Sequence, residues 1–85
     1  MPYKTHTFRA RFTKANNAMQ FVDIHSISPL GVESLARKTS NIDSTWQCQV
    51  YWIDPRNRIV REVVDFNPSW KRTLVGERDA DTLFD

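Results

Sequence analysis

The sequence predicts a small α+β domain, in which an antiparallel sheet and one helix follow the order β-β-α-β-β, plus an irregular C-terminal tail. Two observations predict this class: segments with period-two alternation flank one segment with helical spacing, and turn residues separate the strands of each pair. The 85 residues suffice for one modest core but not for two. We therefore assign residues 1–76 to a single domain and residues 77–85 to an acidic tail.

The first pair of strands is predicted at residues 5–13 and 18–27. In the first strand Phe8, Ala10 and Phe12 alternate with polar residues, which is typical of a half-buried strand. The intervening Lys14-Ala15-Asn16-Asn17 favours a tight reversal, because asparagine tolerates positive φ. The second strand carries apolar residues on both faces, so the sequence leaves its buried side open.

A helix is predicted at residues 29–39. Ser28-Pro29 favours a helix start, since the serine hydroxyl accepts an orphan N–H and proline at the first helical position has none to lose. Leu30, Leu35 and Ala36 form a short apolar stripe, flanked by Val32. A helix of this length is marginal alone, so the stripe is expected to dock on the sheet.

A second hairpin is predicted at residues 45–53 and 58–66. Asp54-Pro55-Arg56-Asn57 indicates the turn, because proline presets φ, Asp54 can bond its own backbone and Asn57 accepts the left-handed conformation. The alternation in residues 45–53, the first strand of this hairpin, predicts Trp46 and Trp52 on one face as core anchors. They share that face with Cys48 and Val50, opposite Gln47, Gln49 and Tyr51.

The fourth strand carries apolar residues on both faces. Ile59 and Val63 lie on one side, and Val60, Val64 and Phe66 lie on the other. The side of the sheet away from the helix therefore needs a cover, for which the candidates are residues 70–75, a second copy of the chain or a partner. The order of the strands stays open.

Charge is divided unevenly along the chain, whose net charge is +2. Residues 1–76 hold eleven Lys and Arg against six Asp and Glu, a net +5, and residues 77–85 hold one Arg against four acids, a net −3. The tail is either a solvated terminus or a segment that shields the basic body or mimics nucleic acid. With no apolar run near the ~20 residues of a membrane span, a cytoplasmic protein without membrane partners is expected.

The sequence argues against catalysis, metal binding and cofactors. His6 and His25 lack metal-clamping spacing, the single cysteine excludes an intrachain disulfide, and two glycines do not make a phosphate loop. Cys48 with His25 and Asp23 is the one conceivable nucleophilic arrangement, but its position favours an inert core thiol. The remaining enzymatic alternative is a small nuclease that works with Arg, His and Tyr.

A binding surface is the preferred interpretation. The face opposite Phe8 and Trp46, with the tip of the second hairpin, carries cations and an aromatic residue. Such a surface suits a protein partner, and the alternatives are a nucleic-acid site and an ordinary solvated face. The predicted partner-binding residues are Arg9, Arg11, Gln47, Gln49, Tyr51, Arg56 and Arg58.

The central part of the chain resembles small phage and mobile-element proteins. The run FVDIHSISP at residues 21–29, then LARK at residues 35–38 and a Trp-rich strand, is similar to their strand-helix-hairpin plan. Some of those proteins, including certain anti-CRISPR proteins, inhibit a host complex by occluding it. The resemblance covers residues 18–66, implies an inhibitor or accessory protein, and carries over no functional residue.

Overall fold

The computed structural model describes residues 4–80, which form a sheet-dominated α+β fold. The elements are β1 (His6–Thr13), β2 (Met19–Ser26), α1 (Val32–Ser40), β3 (Gln47–Ile53), β4 (Ile59–Glu62), a 3₁₀ turn (Trp70–Arg72) and β5 (Val75–Asp79). All the strands pair antiparallel in the order β2-β1-β3-β4-β5. None of the helical segments in this part of the chain is long and apolar enough to cross a membrane.

The central strand β1 supplies the middle of the core. Phe8, Ala10 and Phe12 are completely buried, as their alternation predicts. Val32 and Ala36, one turn apart on α1, pack on them. Helix α1 therefore covers the β2, β1 and β3 part of one face of the sheet.

The first hairpin confirms the predicted turn. The Lys14 N–H donates to the Ala18 carbonyl at 3.0 Å, and Asn17 takes a φ of 67°. On β2, Ile24 is buried and Val22 packs against the core, whereas Phe21 is 39% exposed. The even-numbered residues of β2 thus face α1.

Helix α1 begins three residues later than predicted. Ser28 makes no cap; the chain instead turns at Pro29, whose carbonyl accepts the Val32 N–H at 3.1 Å. Gly31 is the N-cap with a φ of 83°, a conformation that glycine adopts without strain. Leu30 therefore lies before the helix and is 73% exposed. Leu35 is 46% exposed, because Val32 and Ala36 form the side of the helix that faces the sheet.

The second hairpin forms where predicted, with two corrections. Asp54 Oδ1 accepts the Arg56 N–H at 2.9 Å, but Arg58 rather than Asn57 takes the left-handed conformation, with a φ of 56°. Strand β4 ends at Glu62 instead of residue 66. Trp46 and Trp52 pack against the core but are only half-buried.

The segment after Pro68 is not irregular. Trp70 is 5% exposed and packs in the core, on the same side of the sheet as α1. Its ring centroid lies 5.1 Å from that of Phe8 and 5.9 Å from that of Trp52. Strand β5 then adds to β4 and includes three residues assigned to the acidic tail, residues 77–79; residues 81–85 lie outside the described part.

The other side of the sheet carries no helix within residues 4–80, and we call it the open face. A small cluster of Tyr51, Val60 and Ala80 buries the apolar residues there, with Ile53 packed against it. Of the three candidates for a cover, residues 70–75 do not fulfil that role, because Trp70 packs on the helix side. Cross-strand register places on the open face Thr7, Arg9, Arg11, Phe21, Asp23, His25, Gln47, Gln49, Tyr51, Val60, Glu62 and Arg78.

Candidate functional site

Strand register brings five of the predicted binding residues together on the open face. Arg9 lies opposite Tyr51, Arg11 lies opposite Gln49, and Thr13 lies opposite Gln47. Directly paired residues on neighbouring antiparallel strands have side chains in contact range. The two central strands thus form one polar surface from residues distant in sequence.

Arg9 is held by an ion pair on this surface. Its Nε and Nη2 donate to Asp23 Oδ1 and Oδ2 at 2.6 and 3.0 Å, across the β1–β2 ladder. Such exposed pairs contribute under ~1 kcal/mol to stability, but they fix the plane of the guanidinium. Asp23 therefore acts as a cross-strand partner of Arg9.

Arg11 is incompletely satisfied. Its Nη1 donates to Gln49 Oε1 at a long 3.3 Å, and the same oxygen accepts the Tyr51 hydroxyl at 3.0 Å. The Arg11 Nε is buried and has no hydrogen-bond partner in the described structure. A buried donor without an acceptor costs roughly 1–3 kcal/mol, so a rotation of the Arg11 side chain that brings its Nε to an acceptor on a partner would be favourable.

Tyr51 is less accessible than its strand position suggests. It lies on the open face, but only 8% of it is exposed, because it packs with Val60 and Ala80. Its role is to hold Gln49 through its hydroxyl. A ring this buried does not offer a surface on which a nucleic-acid base can stack.

A groove of about 340 Å³ extends from Arg11 to β5 on the open face. Its floor contains Tyr51 and Val60. Two cations and two acids line it together, so its charge is balanced; they are Arg11, Glu62, Glu77 and Arg78. The groove is of a size that accepts a few side chains of a partner.

Arg56 and Arg58, the arginines of the second turn, do not line the groove. Arg56 lines a separate depression of about 230 Å³, with Lys4 and Lys71 as further cations and Asp54 as the acid. Asp54 is occupied by its own turn, since its Oδ1 accepts the Arg56 N–H. The Arg58 carbonyl accepts the Ala80 N–H at 2.9 Å and so ties the turn to the end of β5.

The cations of this depression act on His6. Burial lowers the pKa of His6 below its ordinary value of 6.5, and the charges of Lys71 and Lys4 lower it further. The imidazole centroid lies 5.3 Å from that of Trp70. The folded protein therefore favours neutral His6.

This lowered pKa predicts a pH-dependent stability. Below pH 6.5 the unfolded chain takes up a proton that folded His6 resists, so the free energy of unfolding falls as pH drops through the folded pKa. Relative to wild type, His6→Gln should flatten the dependence of the free energy of unfolding on pH in this range. Lys71→Gln should make that dependence weaker. Urea unfolding at a series of pH values measures the effect, and parallel curves for wild type and His6→Gln would contradict it.

Cys48 and His25 lie on opposite faces of the sheet. Cys48 pairs with Phe12 on the core side, and His25 pairs with Thr7 on the open face. Burial raises the pKa of the Cys48 thiol to about 11, which keeps it protonated at neutral pH. No group of His, Cys, Asp and Glu within residues 4–80 is arranged to hold a metal ion.

Several residues of the groove and of the depression at the end of the sheet were not identified from the sequence. Glu62 follows the strand alternation opposite Tyr51, so that pattern could have found it. Arg78 and Glu77 lie in a charged run that gives no strand signal, and Lys4 and Lys71 join Arg56 only through the fold. Only the tertiary structure shows that these four residues line the groove and the depression.

No protein-family model, curated protein or solved structure matches this chain. The geometry and charge of the open face and of the depression at the end of the sheet are therefore the features that indicate a function.

Proposed function

We propose that this protein is a cytoplasmic, non-enzymatic module that binds another protein through the groove on its open face. The observation that carries this proposal is the buried, unpartnered Nε of Arg11, at a groove with a partly apolar floor. A carboxylate or carbonyl of the partner would complete the hydrogen bonds of this guanidinium. The raised thiol pKa of Cys48 and its separation from His25 support a non-enzymatic role.

The charge balance of the groove supports a protein partner. A polyanion would meet Glu62 and Glu77 as well as the two arginines, whereas a protein surface can place opposite charges against each. A module of 10.0 kDa that docks on a partner covers part of that partner's surface. Occlusion of a macromolecular complex, as in the inhibitors that the sequence resembles, is the mode of action that we propose.

Charge reversal at Arg11 tests the groove. We expect Arg11→Glu to fold normally and to lose most of its affinity for the partner, because a carboxylate replaces the donor that the partner satisfies. Arg9→Glu combined with it should have no less effect, although it also breaks the ion pair with Asp23. Partners are identified by pull-down with mass spectrometry, and affinities are then measured by calorimetry after circular dichroism has verified folding.

The matched control is Arg72→Glu, which reverses an exposed arginine of the 3₁₀ turn on the helix side. It should bind as wild type does. Equal affinity of Arg11→Glu and wild type for the identified partner would exclude the groove as the interface.

Nucleic-acid binding is the second candidate, favoured by the depression at the end of the sheet. Lys4, Arg56 and Lys71 surround it with a single acid, Asp54. Cations in such a cluster attract phosphates, and the resulting affinity falls steeply with salt concentration. In this case Arg56→Glu with Lys71→Glu should abolish binding to single-stranded oligonucleotides, while Arg11→Glu should not.

A further inference from the structure

The outer edge of β2 has the properties of an interface. This strand of eight residues ends the sheet, and among the described residues it pairs only with β1. Asp23 is its only Asp, Glu, Lys or Arg, and it contains no proline or bulge. Natural edge strands usually carry such features to prevent pairing with another chain.

The opposite edge is less suited to pairing. Strand β5 contains Gly76 with a φ of 76°, and its register with β4 shifts between Val60 and Glu62. All five of its residues are exposed, and three of them are charged. These features protect β5 from pairing with another chain, and β2 lacks them.

The first hairpin reveals which backbone groups of β2 point outward. Because the Lys14 N–H donates to the Ala18 carbonyl, the even-numbered residues of β2 face β1 with their backbone groups. The N–H and C=O groups of Asp23 and His25 therefore point away from the sheet. Their side chains lie on the open face.

Helix α1 presents an exposed leucine to the same edge. The Arg37 guanidinium donates to the Trp46 carbonyl at 2.8 Å and lies 5.1 Å from the Phe12 ring, so its flank of the helix faces β3. Leu35 precedes the buried Ala36 by one residue, which at ~100° per residue places it on the opposite flank, above β2. It is 46% exposed.

We infer that two copies of this chain pair through β2 to form a continuous ten-stranded sheet. Antiparallel pairing about a two-fold axis at Ile24 places Asp23 opposite the partner's His25, twice per dimer. The exposed Ile27, directly after β2, then lies beside the contact with the partner. An axis at Asp23 would instead place the two carboxylates against each other, which charge repulsion disfavours.

The axis lies perpendicular to the sheet, so both helices are on one side. The flanks that carry Leu35 then face each other across the axis. One arrangement thus pairs the outward backbone groups of β2 and covers the exposed Leu35. It leaves the groove at Arg11 accessible, and it does not depend on the proposed partner.

The mass of the purified protein in solution tests this inference. Light scattering and sedimentation over a wide concentration range should give twice the 10.0 kDa of one chain for wild type. Leu35→Lys and His25→Asp should each raise the dissociation constant about tenfold or more, because they place like charges across the axis. Circular dichroism should show an unchanged fold.

The control is Val75→Lys, which adds the same charge at an exposed valine of β5. It should stay dimeric. A wild-type mass of one chain at every concentration would overturn the inference, as would dissociation by Val75→Lys and not by Leu35→Lys.

Discussion

Replacing Trp70 by alanine is expected to destabilise the protein by ~3–5 kcal/mol, a large part of the stability of a domain of this size. Trp70 is 5% exposed and its ring makes edge contacts with His6, Phe8 and Trp52. Alanine leaves a cavity among side chains that are held by the sheet and cannot close it. Urea unfolding followed by far-UV circular dichroism measures the loss.

Phe66→Ala is the control, because Phe66 is an aromatic residue four positions before Trp70 that is 40% exposed. It should change the free energy of unfolding by less than ~1 kcal/mol. If Trp70→Ala were as stable as Phe66→Ala, Trp70 would not belong to the core. The same reasoning predicts that a chain ending at residue 68 is unfolded.

The second large effect is expected for Arg37, which holds the loop between α1 and β3. Its Nη1 and Nη2 donate to the carbonyls of Asp43 and Trp46, and its Nε donates to Glu33 at 3.0 Å. Arg37→Ala leaves both carbonyls without their charged donor, which should cost about 2 kcal/mol. For a domain of this size that corresponds to a melting temperature lower by roughly 10 °C.

Two variants show whether the fork of Arg37 is responsible. Lys38→Ala removes an exposed cation from the next position of α1 and should leave the melting temperature nearly unchanged. Arg37→Lys retains a charge but donates from one nitrogen, so it should recover only part of the loss. Full recovery by lysine would assign the effect to charge alone.

The sequence predicted well what short-range patterns determine. The alternation of Phe8, Ala10 and Phe12 identified the buried face of β1, because side chains of a strand point to opposite sides in turn. Asn17 adopts the positive φ on which the first turn depends. The shared face of five of the predicted binding residues followed from the same alternation.

Contacts between segments that are distant in the sequence determine the features that the sequence did not predict. Burial of Trp70 depends on Phe8 and Trp52, and no local periodicity indicates such a contact. Strand β5 is exposed throughout, so it lacks the alternation that marks a half-buried strand. The predicted fourth strand was too long because its apolar residues continue past Glu62, where the ladder ends. Strand order joins β1 to β3 across α1, which no local pattern specifies.

The central position of β1 has a consequence for the kinetics of folding. Its pairing with β2 closes a short turn, an event of about 1–10 μs, but its pairing with β3 brings Thr7 to Ile53 across the whole of α1. The entropy of closing that long loop must be lost before Phe8 and Val50 are buried together. We therefore expect the two hairpins to form early and their joining along β1 to limit the rate.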